Sequence, residues 1–153
     1  MTRIQKPIRR KHEYTQTLVA APDEVFPLLC PVREMEWEEG WEPSLVISAS
    51  GVAEPDCIFV VPDGKREATW VITVHDQVRF RIQFVKVTPG YLVAKIDIAL
   101  YAADGNTTRA VVSYEYTALG DDGAAFVESF TESYYEVFMR TWEEALNKYL
   151  REG

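Results

Sequence analysis

Residues 122–150, DGAAFVESFTESYYEVFMRTWEEALNKYL, carry the reading that decides the fold. At a period of 3.6, Val127, Phe130, Tyr134, Val137, Phe138, Trp142, Ala145, Leu146 and Tyr149 fall on one stripe at steps of three and four. This spacing predicts a single amphipathic helix. Asp121 or Asp122 is placed to cap its N-terminus, and Lys148 and Arg151 stand in its last turn, so both ends suit the helix dipole. At 1.5 Å per residue, roughly 28 residues make a rod of about 42 Å, longer than a small domain needs to close one end. The stripe is mostly aromatic and therefore requires a broad, concave, apolar partner.

The preceding chain supplies that partner as strands. Residues 12–20 (HEYTQTLVA) alternate as a first strand, with Tyr14 and Leu18 on one side. Pro22, Asp23 and Glu24 then open a short helix in which Pro27 forces a kink or a break. A second short helical segment is predicted over residues 33–42 (REMEWEEGWE), with Gly40 at its end. From there the pattern turns to strands at residues 44–50, 57–61, 68–75, 78–87, 91–102 and 108–119. Turns are marked by Pro62-Asp63-Gly64, Pro89-Gly90 and Asp104-Gly105. The short connections predict an antiparallel meander. Its faces separate: Arg79, Arg81 and Gln83 alternate with Phe80, Ile82 and Phe84, Lys95 and Asp97 with Ile96 and Ile98, and Ser113 and Glu115 with Tyr114 and Tyr116. The apolar face, with Trp70 on it, is the one that receives the long helix.

Composition sets outer limits. A chain of 153 residues, 47% hydrophobic and 26% charged, suits one globular domain. We read residues 1–11 as a basic tail carrying Arg3, Lys6, Arg9, Arg10 and Lys11, and residues 12–153 as the domain. A formal net charge of -8 disfavours nucleic acid as a partner. The basic segment lacks the apolar run of a secretory signal and no later run is long enough to span a bilayer, so a cytoplasmic protein without stable membrane insertion is expected. Cys30 and Cys57 are read as free buried thiols. His12 and His75 lie too far apart in sequence to build a metal centre, and no metal or cofactor is expected.

The order of one strand, two short helices, six strands and a long C-terminal helix resembles the START-like superfamily, also called the helix-grip or SRPBCC fold. Pollen allergens, lipid-transfer domains, polyketide cyclases and chaperone-activator homologues are members. The residues carrying the resemblance are the opening strand into Ala21-Pro22-Asp23-Glu24-Val25-Phe26, the Trp37 to Trp41 segment, and the final helix through Trp142, Leu146 and Tyr149-Leu150. Cys30-Pro31-Val32-Arg33-Glu34, Glu38, Gly40-Trp41 and Ser50-Gly51 are similar to a bacterial subgroup of that superfamily. The resemblance implies an α+β helix-grip fold, in which a seven-stranded curved antiparallel sheet wraps around the C-terminal helix and leaves a hydrophobic cavity between them.

Trp37, Trp41, Phe59, Trp70, Phe80, Phe84, Tyr114, Tyr116, Phe130, Tyr134 and Phe138, together with Trp142, are the large side chains available to line such a cavity. Tyr and Trp bring polar atoms that suit a partly wet, ligand-orienting wall. Glu34, Glu36, Glu38, Glu39 and Glu42 are read as a solvated acidic rim near the mouth, which disfavours anionic ligands. For chemistry, His75 with Asp76 or Glu115, or Glu34 beside Arg33, are the available acid–base pairs. No GxSxG, Walker A, GxGxxG, HExxH or CxxC motif occurs. The expected function is binding or transport of a hydrophobic lipid, polyketide or aromatic molecule, by a monomer or homodimer. The alternatives are a polyketide cyclase or dehydratase, and a chaperone-activator-like interaction domain.

Overall fold

The structure, a computed structural model, describes residues 1–153. Seven strands form one antiparallel sheet: β1 (Arg9–Leu18), β2 (Leu45–Ile47), β3 (Ile58–Asp63), β4 (Arg66–Asp76), β5 (Arg81–Thr88), β6 (Leu92–Ala103) and β7 (Thr107–Ala118). Their spatial order is β1-β7-β6-β5-β4-β3-β2. Strands two to seven follow one another as the short turns predict, and β1 closes the far side by pairing with β7. The sheet starts three residues earlier than expected, so Arg9, Arg10 and Lys11 are strand residues opposite Thr117, Tyr116 and Glu115. Pro62 and Asp63 likewise lie in β3, and the turn falls on Gly64 and Lys65.

Between β1 and β2 the chain makes the short helix α1 (Pro22–Val25), a 3-10 turn over Phe26–Leu28 and another over Arg33–Glu36. Pro27 ends the α-helical hydrogen bonding as its missing N–H requires. The predicted second short helix is thus a 3-10 turn followed by irregular chain.

The C-terminal rod is two helices, α2 (Asp121–Ser129) and α3 (Glu132–Glu152). Phe130, fully buried, leaves helical geometry at ψ 70°, and the Thr131 hydroxyl then caps α3 by accepting from the Tyr134 N–H at 3.2 Å. Arg10 donates to the Glu128 carbonyl (3.2 Å) and His12 Nε2 donates to the Phe130 carbonyl (2.8 Å), so two ring-and-guanidine donors satisfy carbonyls freed at the end of α2. Gly120 occupies the N-cap of α2, and Asp121 and Asp122 sit in its first turn instead of capping it. Gly123 is required by close packing: a Cβ there would stand 1.9 Å from the Tyr91 carbonyl oxygen.

The break resets the helical phase. On α3 the buried residues are Tyr135, Met139, Leu146 and Asn147, of which only Leu146 belongs to the predicted stripe, while Tyr134 and Val137 are 49% and 62% exposed. This face lies along β1. The core is one continuous cluster between the inner face of the sheet and the helices.

Candidate functional site

Register places the inner side chains in rows. Phe59 of β3, Trp70 of β4, Lys86 of β5, Ala94 of β6, Tyr116 of β7 and Arg10 of β1 are successive cross-strand partners. The next row runs Ile72, Phe84, Ile96, Tyr114, His12. A β-bulge between Ile72 and Val74 shifts the phase of β4, so His75 pairs with Ile82 on the inner face while Val74 pairs with Gln83 on the outer one. Period two therefore brings a lysine into the middle of an apolar wall. Its small neighbour Ala94 leaves space above it.

That space is a pair of adjoining chambers sharing Lys86, Tyr116 and Phe138 as walls. The inner chamber, about 130 Å³, is lined by Glu34, Glu38, Trp41, Phe59, Trp70, Phe84, Lys86, Ile96, Ile98, Tyr114, Tyr116, Phe138 and Trp142. The outer one, about 200 Å³, adds Asp63, Thr88, Tyr91, Leu92, Ala94, Phe126 and Tyr134. Around the inner chamber the rings stand edge to face: Trp41 and Trp70 at 5.7 Å and 84°, Trp70 and Phe84 at 5.7 Å and 88°, Phe59 and Phe84 at 6.1 Å and 89°.

The polar groups of this wall are unusual for a core. Lys86 Nζ lies 5.1 Å from the centre of the Trp70 ring and takes part in no salt bridge. Burial lowers its pKa, opposed in part by the charge of Asp63. The buried Trp70 Nε1 has no hydrogen-bond partner. Glu34 is buried; burial, the neighbouring Glu38 carboxyl and the Cys30 thiol push its carboxyl well above the usual carboxylate range. Burial also raises Glu38. Burial, chiefly, raises the phenols of Tyr114 and Tyr116, whose rings are 5.9 Å apart. The site thus holds a lysine amine, an indole, a pair of carboxyls whose acid forms burial favours and two phenols in an aromatic enclosure.

Of the residues singled out from sequence, Trp41, Phe59, Trp70, Phe84, Tyr114, Tyr116, Tyr134, Phe138 and Trp142 line these chambers. Trp37, Phe80 and Phe130 do not. Trp37 is 7% exposed, spends its indole N–H on the Leu28 carbonyl and packs on Trp142 at 5.6 Å. Trp41 is also held from its polar end, donating to the Pro31 carbonyl at 2.8 Å. Phe80 precedes β5 with a left-handed φ of 57°, which turns it against Phe26. Phe130 is the closed plug of the α2–α3 break, packed on Tyr116 at 4.8 Å.

The acidic rim also needs correction. Glu36 faces outward, bridging Arg33 and Tyr149, whereas Glu34 and Glu38 line the inner chamber. His75 sits against Phe26 at 5.2 Å, in a separate groove with Cys30 and Phe80. Asp76 is occupied by the Val78 and Arg79 N–H groups, and Glu115 stands on the outer face near Arg9, so neither serves His75. Lys86 was absent from the sequence selection, although extending the alternation Ile82, Phe84 by one step reaches it. Cys30 and Cys57 are buried and unbonded. No cluster of three potential metal ligands occurs, and no helix is long and apolar enough to cross a membrane.

A curved seven-stranded antiparallel sheet gripping a C-terminal helix defines the helix-grip fold, and this chain adopts it. Among solved structures, norcoclaurine synthase from Thalictrum flavum is similar at a TM-score of 0.72 and 12% identity, covering 99% of each chain. Another structure of that enzyme, in complex with dopamine and hydroxybenzaldehyde, matches at 0.68 and 13%, covering 95% of this chain and 88% of that one. Ara h 8.0201 matches at 0.66 and 16%, covering 95% and 99%, and a protein from Rhodobacter sphaeroides at 0.64 and 16%, covering 93% of each. Comparison with protein-family models and with curated proteins finds no match.

Proposed function

We propose that the protein binds a small aromatic or similarly apolar molecule between the sheet and α2–α3, and that this ligand presents a carbonyl or oxyanion to Lys86 and Trp70. One observation carries the reading: two cross-strand neighbours, the amine-bearing Lys86, which is in no salt bridge, and the Trp70 ring, line one aromatic chamber. Lys86 is partly exposed and in no salt bridge, so a ligand acceptor in the chamber supplies the partner its amine lacks. The aromatic walls favour a flat, apolar body. The norcoclaurine synthase neighbour, solved with dopamine and hydroxybenzaldehyde, supports single-ring aromatics as the size class.

This reverses the charge preference expected from the acidic segment. Burial raises both inward carboxyls, which weakens their repulsion of an anion, and Lys86 is the cationic group of the chamber. A cyclase- or dehydratase-type enzyme is favoured by a separate observation, an amine and two carboxylic acids lining one chamber. The presence of chambers, rather than a filled core, speaks against a purely protein-binding role.

The test is titration of tryptophan emission with 4-hydroxybenzaldehyde, 4-hydroxybenzoate and 4-hydroxybenzyl alcohol, paired with native mass spectrometry. Saturable quenching and a one-to-one complex that is lost on denaturation are expected, with the alcohol weakest. No saturable response to any of the three would contradict the reading.

A further inference from the structure

Lysine in an apolar enclosure without a counter-ion has a chemistry beyond recognition. We propose that Lys86 forms a reversible Schiff base with aldehyde or ketone ligands in the inner chamber, preferring aromatic carbonyl compounds; this rests on the ligand-binding reading above.

The placement supports it. Lys86 lies on the central strand β5, and its amine is the junction of the two chambers, so a carbonyl compound arriving through the outer one meets it on the way in. Ala94, its neighbour in the row, offers only a methyl group and leaves the approach open. The amine is in no salt bridge, and burial shifts it toward the free base, which is the nucleophile, against the weaker opposing charge of Asp63 in the outer chamber.

The remaining groups suit the steps. The Lys86 nitrogen attacks the carbonyl carbon, the C–O π electrons move to oxygen, and a proton from nitrogen ends on that oxygen to give a carbinolamine. The C–O bond then breaks as the hydroxyl leaves, protonated by a carboxylic acid of the Glu34–Glu38 pair. The products are an iminium, one water and the carboxylate of that acid, which retakes the nitrogen proton when the neutral imine forms, with no oxidation or reduction. Both carboxyls line the chamber, and burial with their mutual contact raises Glu34 furthest, which favours Glu34 as the acid of the pair. The carboxylate left behind and the face of Trp70, already 5.1 Å below the nitrogen, then stabilise the iminium cation.

The experiment is reductive trapping. Full-length protein is incubated with 4-hydroxybenzaldehyde and cyanoborohydride, its intact mass is followed, and the modified residue is located by digestion. A single adduct at Lys86 is expected, forming at least about tenfold faster than at the exposed Lys6, Lys65 or Lys148, as a free amine population would give. In Lys86→Arg the fast adduct is lost. Retained thermal stability and an unchanged near-ultraviolet circular dichroism of the aromatic residues show that this variant keeps its chamber. Saturable quenching by the aldehyde with labelling spread over the exposed lysines would overturn the Schiff base and leave the binding reading standing. Neither quenching nor Lys86 labelling would overturn both.

Discussion

The two halves of the interior are built to opposite standards. Where α3 lies on β1, nearly every polar atom is spent. Glu143 accepts from the Thr17 N–H at 2.6 Å and from the Tyr14 hydroxyl at 3.2 Å, and Asn147 accepts from the Val19 N–H and donates to the Thr17 carbonyl, each at 2.9 Å. These helix side chains take the place of a further strand along the free edge of β1. Gln16 donates to the Met139 carbonyl at 3.1 Å and Tyr135 to the Val112 carbonyl at 2.7 Å; only Gln16 Oε1 is left over. Across the sheet, where α3 stands away from β4 and β5, the polar atoms of Lys86, Trp70, Tyr114 and Tyr116 face chambers instead. The difference teaches that the helix is anchored on one side so that the other can be left unfilled. Stability is concentrated at β1 and the proposed ligand site at β5.

Substitutions sharpen this contrast. The largest effect belongs to the anchored half: Met139→Ala, at a fully buried position, removes about 2–5 kcal/mol of stability by urea unfolding, with aromatic binding unchanged in the molecules that remain folded. Asn147→Ala strands the Val19 N–H and the Thr17 carbonyl and costs about 1–3 kcal/mol in the same assay. Gly123→Ala drives a methyl group into the Tyr91 carbonyl and costs about 1–3 kcal/mol by overpacking. If instead these three left stability intact while abolishing binding, the division between the halves would break.

In the cavity half the sign reverses with pH. Glu34 is protonated in the fold above the ordinary carboxylate value of 4.5. Its contribution is complete below the unfolded value and is lost as pH rises through the raised folded one. Glu34→Gln keeps the neutral shape and removes that loss, so its melting temperature should exceed the wild type's at pH 8 and match it near pH 4. Each kcal/mol corresponds to about 2–4 °C in a domain of this size.

The sheet was legible because alternation survives in sequence: Phe84, Ile96, Ile98, Tyr114 and Tyr116 point inward as their spacing requires. The helix break was not, because Ser129, Phe130 and Thr131 continue an apolar spacing that capping interrupts. Phe80 was misplaced for a related reason, since a left-handed residue before β5 leaves no mark on periodicity. Half of the cavity wall could be named from aromatic residues. Its ionisable half was hidden twice over. A lysine on an inner strand position reads as a surface residue until register fixes its partners. Glu34 and Glu38 lie at and just after a 3-10 turn, too short to show which face is buried. The bulge at Thr73, which turns His75 inward, has no sequence signature either.

The central claim is that Lys86 is kept unpaired for a ligand at a cost to stability, and melting wild type and Lys86→Met with and without saturating 4-hydroxybenzaldehyde tests it most directly. Without ligand, Lys86→Met should be more stable by about 1 kcal/mol near neutral pH, and the gain should shrink as pH rises through the lowered folded value and vanish above the ordinary lysine value of 10.5, where neither state carries the charge. With ligand at a hundredfold excess over Kd, the wild type should gain about 2.7 kcal/mol and the variant almost none. Equal ligand-induced gains in the two proteins, or a variant less stable than the wild type without ligand, would contradict it.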